Sequence, residues 1–200
     1  MSQKKFYLLQ VNDALFPIGA YSHSQGLETY IQNGIVHDEK TAEEYIKNKI
    51  KWNFATTELL SVKLAYESAE AERLEELEEL EEILEASRIP MEQRDAVRKM
   101  GSRFVKTIEK LDLEINETGI YKEYVTARKG KNISHSCVYG VFCSALGIEL
   151  EEALEHYLYA QTSAMVTNCV KTIPLSQSVG QKLLSRCFFE FQEVLETLKT

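Results

Sequence analysis

The segment SHSCVYGVFCSALG, residues 134–147, constrains the fold most strongly, because apolar or small residues occupy almost every position in it. A helix that is hydrophobic nearly all round belongs in the centre of a protein, where neighbouring elements cover all of its faces. Gly140, Ser144 and Ala145 would let those neighbours approach closely, and Gly147 is suited to end the helix. The sequence therefore predicts a central buried helix rich in small residues.

The rest of the chain shows helical rather than strand periodicity. The predicted apolar face of one long stretch consists of Ile46, Ile50, Phe54, Leu60 and Leu64. Before it, Thr41 and Glu44 form a capping-box pattern that predicts the start of this helix. Only 3 prolines and 9 glycines interrupt the 200 residues. We predict an all-α fold, a single compact helical domain over residues 1–200 with roughly seven to ten helices.

The acidic segment at 70–85 lies within AEAERLEELEELEEILEASR and places leucines every three or four residues. This periodicity favours a solvated amphipathic helix over an acidic docking surface or a weak metal site. Because so many neighbouring glutamates repel one another, we expect this helix to be among the less stable elements.

Composition excludes several classes of partner. The formal net charge of −8 repels phosphate backbones, and the short basic clusters have acidic neighbours, so we predict no nucleic-acid binding. No apolar run approaches the roughly 20 residues of a membrane span, and no signal-peptide cleavage pattern is present, so we expect a cytoplasmic protein without a membrane partner. The 4 cysteines form no CxxC pair and are expected to be reduced and buried.

The chain carries no strong catalytic motif: a Walker lysine loop, GxSxG and HExxH are all missing from the sequence. His135 and Cys137 form an HxC pair that could bind a metal only with a further ligand from elsewhere, so a core role is favoured. Ser22 and His23 resemble a nucleophile and a base, but adjacent residues on a helix do not face each other. We predict no catalytic residue, no metal site and no cofactor; a small helical enzyme is the least favoured alternative.

Residues 15–34, LFPIGAYSHSQGLETYIQNG, are interpreted as a turn that leads into a capped helix. Pro17 fixes φ, and Gly19 permits a backbone conformation that a side chain would disfavour. One of the serines that follow could cap the helix. Gly26 would then lie inside the helix, where glycine costs about 1 kcal/mol relative to alanine, and it suggests close approach by another helix.

Three motifs together resemble the UreF family of urease accessory proteins. LLQVNDALFPIGAYSHSQGLE, residues 8–28, is similar to the family signature LLQLxDSxxPxGxFSHSxGLE. GVFCSALGI, residues 140–148, resembles the family's helix of glycine, hydrophobic and small residues before Leu-Gly, and IPLSQSVGQKLL, residues 173–184, is similar to RLIPLGQxxGQxxL. Their order and separation also agree. The chain departs from these patterns at Ala20, at Lys171 or Thr172, and at Ser176.

The resemblance implies an all-α assembly factor without enzymatic activity. UreF proteins dimerise and bind a partner called UreD or UreH, and this complex recruits the GTPase UreG to deliver nickel to the urease apoprotein. A homodimer within that complex is therefore expected for this chain. The alternative implied by the same resemblance is direct regulation of UreG, as an activator or a fidelity gate, in which Lys171 would substitute for an arginine finger.

The candidate partner-binding residues come from the first and third motifs. From the first motif, the resemblance implies a functional surface, or the frame beneath it, at Tyr21, Ser22, His23, Ser24 and Glu28. From the third motif it implies contacts at Lys171, Pro174, Gln177 and Gln181. Purely structural roles remain open: caps for the serines, a helix stop for the proline, and local hydrogen bonds for the glutamines. The lysine is the strongest candidate for direct contact, because a long charged side chain is seldom needed for packing.

Overall fold

A computed structural model describes residues 3–19, 26–87 and 91–199, with only the backbone described at 91–93. The described elements, in chain order, are α1 (Lys4–Val11), α2 (Leu27–Gln32), α3 (Glu39–Lys49), a π-helical segment (Ile50–Leu59), α4 (Leu60–Glu70), α5 (Leu74–Ser87), α6 (Met91–Ile108), a 3₁₀ turn (Glu114–Asn116), α7 (Gly119–Ala127), α8 (His135–Ala145), α9 (Leu150–Thr172), α10 (Gln177–Arg186) and α11 (Phe188–Leu198). No strand occurs within these ranges. The all-α prediction is confirmed. Because α3, the π-helical segment and α4 are contiguous, the described ranges contain ten separate helices, which agrees with the predicted range.

Helix α8 occupies the centre of the fold, as predicted. Every residue from His135 to Cys143 is buried. α4 packs most extensively along it, and α6, α7 and α9 also contact it. Gly140 makes the approach of α4 possible, because a Cβ at this position would lie 2.5 Å from the carbonyl oxygen of Val62. Gly147 follows the helix with a φ of 62°, which confirms it as part of the helix end.

The α3 helix, the π-helical segment and α4 form one continuous rod, and the π-helical segment changes which residues face the core. Phe54 is buried, as predicted, but the next buried apolar positions are Leu59 and Val62. Leu60 and Leu64 are 38% and 40% exposed instead. The prediction that these two leucines belong to the apolar face is wrong, because the wider π-helical turn rotates the following residues relative to regular α-helical spacing.

The capping box of the rod lies three residues before the predicted one. Asp38 is the N-cap: its carboxylate accepts a hydrogen bond from the Thr41 backbone N–H at 2.8 Å. The Thr41 hydroxyl in turn accepts from the Asp38 backbone N–H at 3.0 Å. Thr41 is therefore the third residue of the helix rather than its cap, and Glu44 has no part in the box. An aspartate carboxylate suits this position because it also complements the helix dipole.

The acidic helix α5 is amphipathic, as predicted, but one of its glutamates belongs to the core. Leu77 and Leu84 are buried, and Glu81 is only 1% exposed. The carboxylate of Glu81 accepts the backbone N–H of Ser134, at 2.9 and 3.0 Å from its two oxygens, and also the hydroxyl of Tyr124. Glu81 thereby caps the start of α8 from another helix, and satisfies a donor that a helix terminus leaves unpaired.

Other glutamates on and beside α5 are paired with cations, several of which come from other elements. These pairs offset part of the like-charge repulsion along the helix. The ion pairs join Glu76 to Arg73, Glu78 to Lys131, Glu82 to Arg128 and Glu85 to Arg98. The low stability expected for α5 stays a prediction.

A continuous cluster of buried apolar side chains runs from Leu8 in α1 to Leu198 in α11. All four cysteines are buried and free, as predicted. Burial raises the pKa of Cys169 and of Cys187 to about 12, so both thiols stay protonated near neutral pH. None of the helices in the described part of the chain has the length and apolar character needed to cross a membrane.

Candidate functional site

The third motif forms the corner between α9 and α10. α9 ends at Thr172, and Ile173 is extended, with φ −107° and ψ 144°. Pro174 imposes this conformation on the residue before it, so its predicted role as a helix stop is confirmed. Ser176 then caps α10 by accepting the Val179 backbone N–H at 3.3 Å. The sequence offers Ser176 or Ser178 as the cap of this helix, and the structure uses Ser176.

The predicted contact residues of this motif are all on the surface. Lys171 and Pro174 are exposed at the corner, and Gln177 and Gln181 are exposed one turn apart on α10. Neither glutamine amide makes a hydrogen bond with the described residues, so the local bonding considered from the sequence is not seen there. We name this surface, Lys171, Pro174, Gln177 and Gln181, the α9–α10 corner.

The opposite face of α10 is held tightly against α9. Gly180 is buried, and a Cβ there would lie 2.7 Å from a methyl group of Val170. Leu183 and Leu184 are buried on the same side. This packing directs the two glutamines away from the core, because residues four apart share one face of a helix.

An ion-pair network, which sequence reasoning missed, fixes the far end of α10. The Arg186 guanidinium lies 2.9 Å from carboxylate oxygens of both Glu39 and Glu43 on α3. Lys47 bridges Glu43 at 3.1 Å and the buried Glu190 at 3.2 Å. Lys47 and Arg186 hold the pKa of the Glu43 carboxyl below its ordinary value. The spacing of residues 39, 43 and 47 is typical of one charged face of α3. It does not indicate that Arg186 would be the distant partner of that face.

Within the first motif, the structure leaves residues 20–25 undescribed, and four of the five candidate contact residues lie there. Tyr21, Ser22, His23 and Ser24 lie outside the described residues, so their roles stay predictions. Glu28 is exposed in the first turn of α2.

The glycines of the first motif are described. Gly19 has a φ of 78°, as the predicted turn requires. Gly26 precedes α2 with a φ of 91°, and no neighbouring heavy atom lies within 4 Å of where its Cβ would be. The predicted close helix approach at Gly26 is therefore wrong, because glycine is favoured there by backbone conformation.

The first and third motifs lead to neighbouring elements. α2, which carries Glu28, packs against α9, which carries Lys171. The rings of Tyr30 on α2 and Tyr45 on α3 lie 5.3 Å apart. Burial raises the pKa of Tyr45, so its hydroxyl stays neutral at this junction. The helix at the end of the first motif, α2, therefore lies next to the helix that leads into the third motif, α9.

The alternative site at His135 and Cys137 is enclosed in the core. His135 is 3% exposed, and burial lowers its pKa to about 4, so the imidazole is neutral near pH 7. Its ring stacks on Tyr157, whose hydroxyl lies 3.5 Å from Nδ1 and donates to Glu58 at 3.3 Å. Within the described ranges, no group of three or more His, Cys, Asp or Glu side chains is placed to hold a metal ion.

The α9–α10 corner can therefore offer hydrogen bonds and one positive charge to a partner. Comparison with protein families gives a match to the family model described as UreF, over residues 36–188. The matched region runs from just before α3 to the first residue of α11, and it contains both the central helix and the corner. The first motif lies ahead of it. Because this match covers more than half of the chain, the protein belongs to the UreF family of urease accessory proteins.

Proposed function

We propose that this chain is a non-catalytic assembly factor for urease, and that it acts with a UreD- or UreH-type protein and the GTPase UreG. Nickel would be the cargo of this complex, and the urease apoprotein would receive it. Membership of the UreF family supports the proposal. The observation that carries it is the α9–α10 corner, where the family-matched third motif exposes polar side chains on a rigidly held helix.

The chemistry of the corner suits recognition. Amide groups at Gln177 and Gln181 can donate and accept hydrogen bonds, and Lys171 adds a positive charge. Near Pro174 the chain is already ordered, so a partner would bind it at a low entropic cost. We propose that turnover lies with the partners.

The test compares a double variant, Gln177→Ala with Gln181→Ala, with the control Gln192→Ala, an exposed glutamine on α11. We expect the double variant to weaken co-purification with the UreD-type protein and UreG, and to lower the nickel content of urease in a reconstituted activation assay. Its unfolding midpoint should stay at the wild-type value, as should all properties of the control. Wild-type activation by the double variant would contradict the proposal.

A second candidate function is direct regulation of UreG as an activator or fidelity gate. It is favoured by Lys171, an exposed cation in the last turn of α9. Single-turnover GTP hydrolysis by UreG would be slower with Lys171→Ala than with wild type, and Lys171→Arg would retain or increase the rate. Equal rates for all three proteins would refute regulation through this residue while leaving the assembly role intact.

We also propose that residues 1–200 act as one helical domain and form a homodimer within a cytoplasmic complex. The dimer is supported by a stripe of exposed apolar side chains along the rod: Trp52 is 74% exposed, and Leu60 and Leu64 are 38% and 40% exposed. Neighbouring exposed apolar side chains of this kind mark interaction surfaces. Light scattering should report a dimer for wild type in the complex and a loss of dimer for Trp52→Ser; an unchanged mass would argue against this face.

A further inference from the structure

A surface groove near the N-terminus is separate from the α9–α10 corner. It has a volume of about 480 Å³ and lies between α1, the loop that follows it and α6. Phe6, Leu9 and Leu15 line it with side chains that are 59%, 54% and 90% exposed. Thr107 forms the α6 wall. Large apolar side chains exposed around one concavity are typical of a binding surface.

The groove is held in place by contacts of its own. The ring of Phe16 packs on Phe104 of α6, with centroids 5.6 Å apart. The Arg103 guanidinium donates to the Ile18 carbonyl oxygen at 3.4 Å. Within the loop, the Leu15 backbone N–H donates a hydrogen bond to the Asp13 carboxylate at 2.7 Å. The loop is therefore attached to α6, although the side chain at its tip projects into solvent.

A basic stripe lies on and just beyond α6, the helix that supplies Thr107 to the groove. It consists of Lys99, Arg103, Lys106 and Lys110, which are all exposed. The first three are spaced by four and three residues and so share one face of α6, and the fourth follows in the next turn. The three lysines make no ion pair with any residue in the described ranges. This contrasts with the net charge of −8 of the whole chain.

We propose that this groove binds a short amphipathic helix of a partner protein, with its apolar side chains in the groove and its carboxylates against the basic stripe. On α6 the stripe runs from Lys99 to Lys106, which corresponds to about 10 Å, or two helical turns, and Lys110 follows just beyond the helix. A helix rather than a strand is the fitting occupant, since α-helices and a loop form the walls and neither offers a sheet edge. The proposal goes beyond the urease assembly role and does not depend on it.

An anionic membrane is the other surface that apolar and basic side chains could meet. The groove favours a protein segment because a flat bilayer cannot fill a concavity. The Asp13 carboxylate and the polar groups of Gln10 and Thr107 also line it. This carboxylate would repel anionic lipids, whereas a peptide can place a donor against it.

The test uses the full chain and a fluorescein-labelled peptide, LEELEELEEILEAS, which copies residues 74–87 and has the required apolar and acidic pattern. Fluorescence anisotropy should show saturable binding to wild type that weakens as NaCl rises. Leu15→Asp, and separately the pair Lys106→Glu with Lys110→Glu, should each lower the affinity by about tenfold.

Matched controls separate the groove from general charge effects. Ile83→Asp introduces the same carboxylate at an exposed apolar position on α5, and Lys122→Glu with Lys129→Glu makes the same charge change near α7. Both controls should bind the peptide as wild type does. The proposal is overturned by absence of saturable binding, by equal losses in groove and control variants, or by binding of vesicles with 30% phosphatidylserine in place of the peptide. Urease activation, measured separately, tests the assembly role alone.

Discussion

Replacing Gly140 by alanine tests whether α8 is the closely packed centre of the fold. The added Cβ would lie 2.5 Å from the Val62 carbonyl oxygen, 3.1 Å from the Tyr66 backbone nitrogen and 3.2 Å from the Ala65 Cβ. Two of these three atoms belong to the backbone of α4, so relief requires the two helices to separate. Overpacking of this kind costs up to about 3 kcal/mol, and the higher helix propensity of alanine returns about 1 kcal/mol. We expect a net loss of about 2 kcal/mol in the free energy of unfolding.

Gly180→Ala is the matched control, because the nearest atom to its added Cβ is a side-chain methyl of Val170, at 2.7 Å, which can move. The gain in helix propensity should then largely cancel the packing cost, with a change within about 0.5 kcal/mol. Urea unfolding followed by circular dichroism at 222 nm measures both variants. For a chain of this size, 2 kcal/mol corresponds to a decrease in Tm of roughly 4–8 °C. Gly140→Ala with wild-type stability, or less destabilising than Gly180→Ala, would refute the packing argument.

Two further predictions concern polar groups in the core. Glu81→Gln should lower the free energy of unfolding by about 2 kcal/mol, because both carboxylate oxygens lie within 3.0 Å of the Ser134 nitrogen and the amide NH2 that replaces one of them would place two donors against each other. Glu79→Gln, on the exposed face of α5, should stay within about 0.5 kcal/mol in urea unfolding. His135 has a folded pKa of about 4 against an ordinary 6.5, so the unfolded chain binds more protons between these values and stability falls as pH falls through that window. Between pH 7 and pH 5, protonation of this group in the unfolded chain should lower the free energy of unfolding by about 2 kcal/mol. His135→Phe should abolish that part of the pH dependence. Equal pH profiles for wild type and variant would contradict the burial of His135 as a neutral imidazole.

The sequence predicted those parts of the fold that depend on local chemistry. The buried α8 helix was recognisable because nearly all its residues are apolar or small, whatever their neighbours are. The end of α9 and the start of α10 were recognisable because Pro174 cannot continue a helix and either Ser176 or Ser178 can cap one. The α9–α10 corner follows from these same signals, and the family resemblance added which of its polar residues to examine.

The parts that could not be predicted depend on distant residues. Glu81 has the same sequence context as its exposed neighbours, and only the approach of Ser134, 53 residues later, makes it a buried cap. Arg186 likewise finds its partners on α3, more than 140 residues earlier. A single sequence carries no signal for such pairs, because helical periodicity identifies a face but not what will cover it.

The π-helical segment shows how one local departure changes the interpretation of a surface. With α-helical spacing throughout the rod, Leu60 and Leu64 would be core residues and Trp52 an isolated exposed side chain. Because the segment rotates the following turns, Leu60 and Leu64 are exposed as well, eight and twelve residues after Trp52. A π-helical turn is less favourable than an α-helical one, and such turns are found mainly where the surrounding structure or a function requires them. We therefore interpret the stripe as the outward consequence of the register change that also directs Leu59 and Val62 into the core. The homodimer proposal is assigned to this face of the rod for that reason.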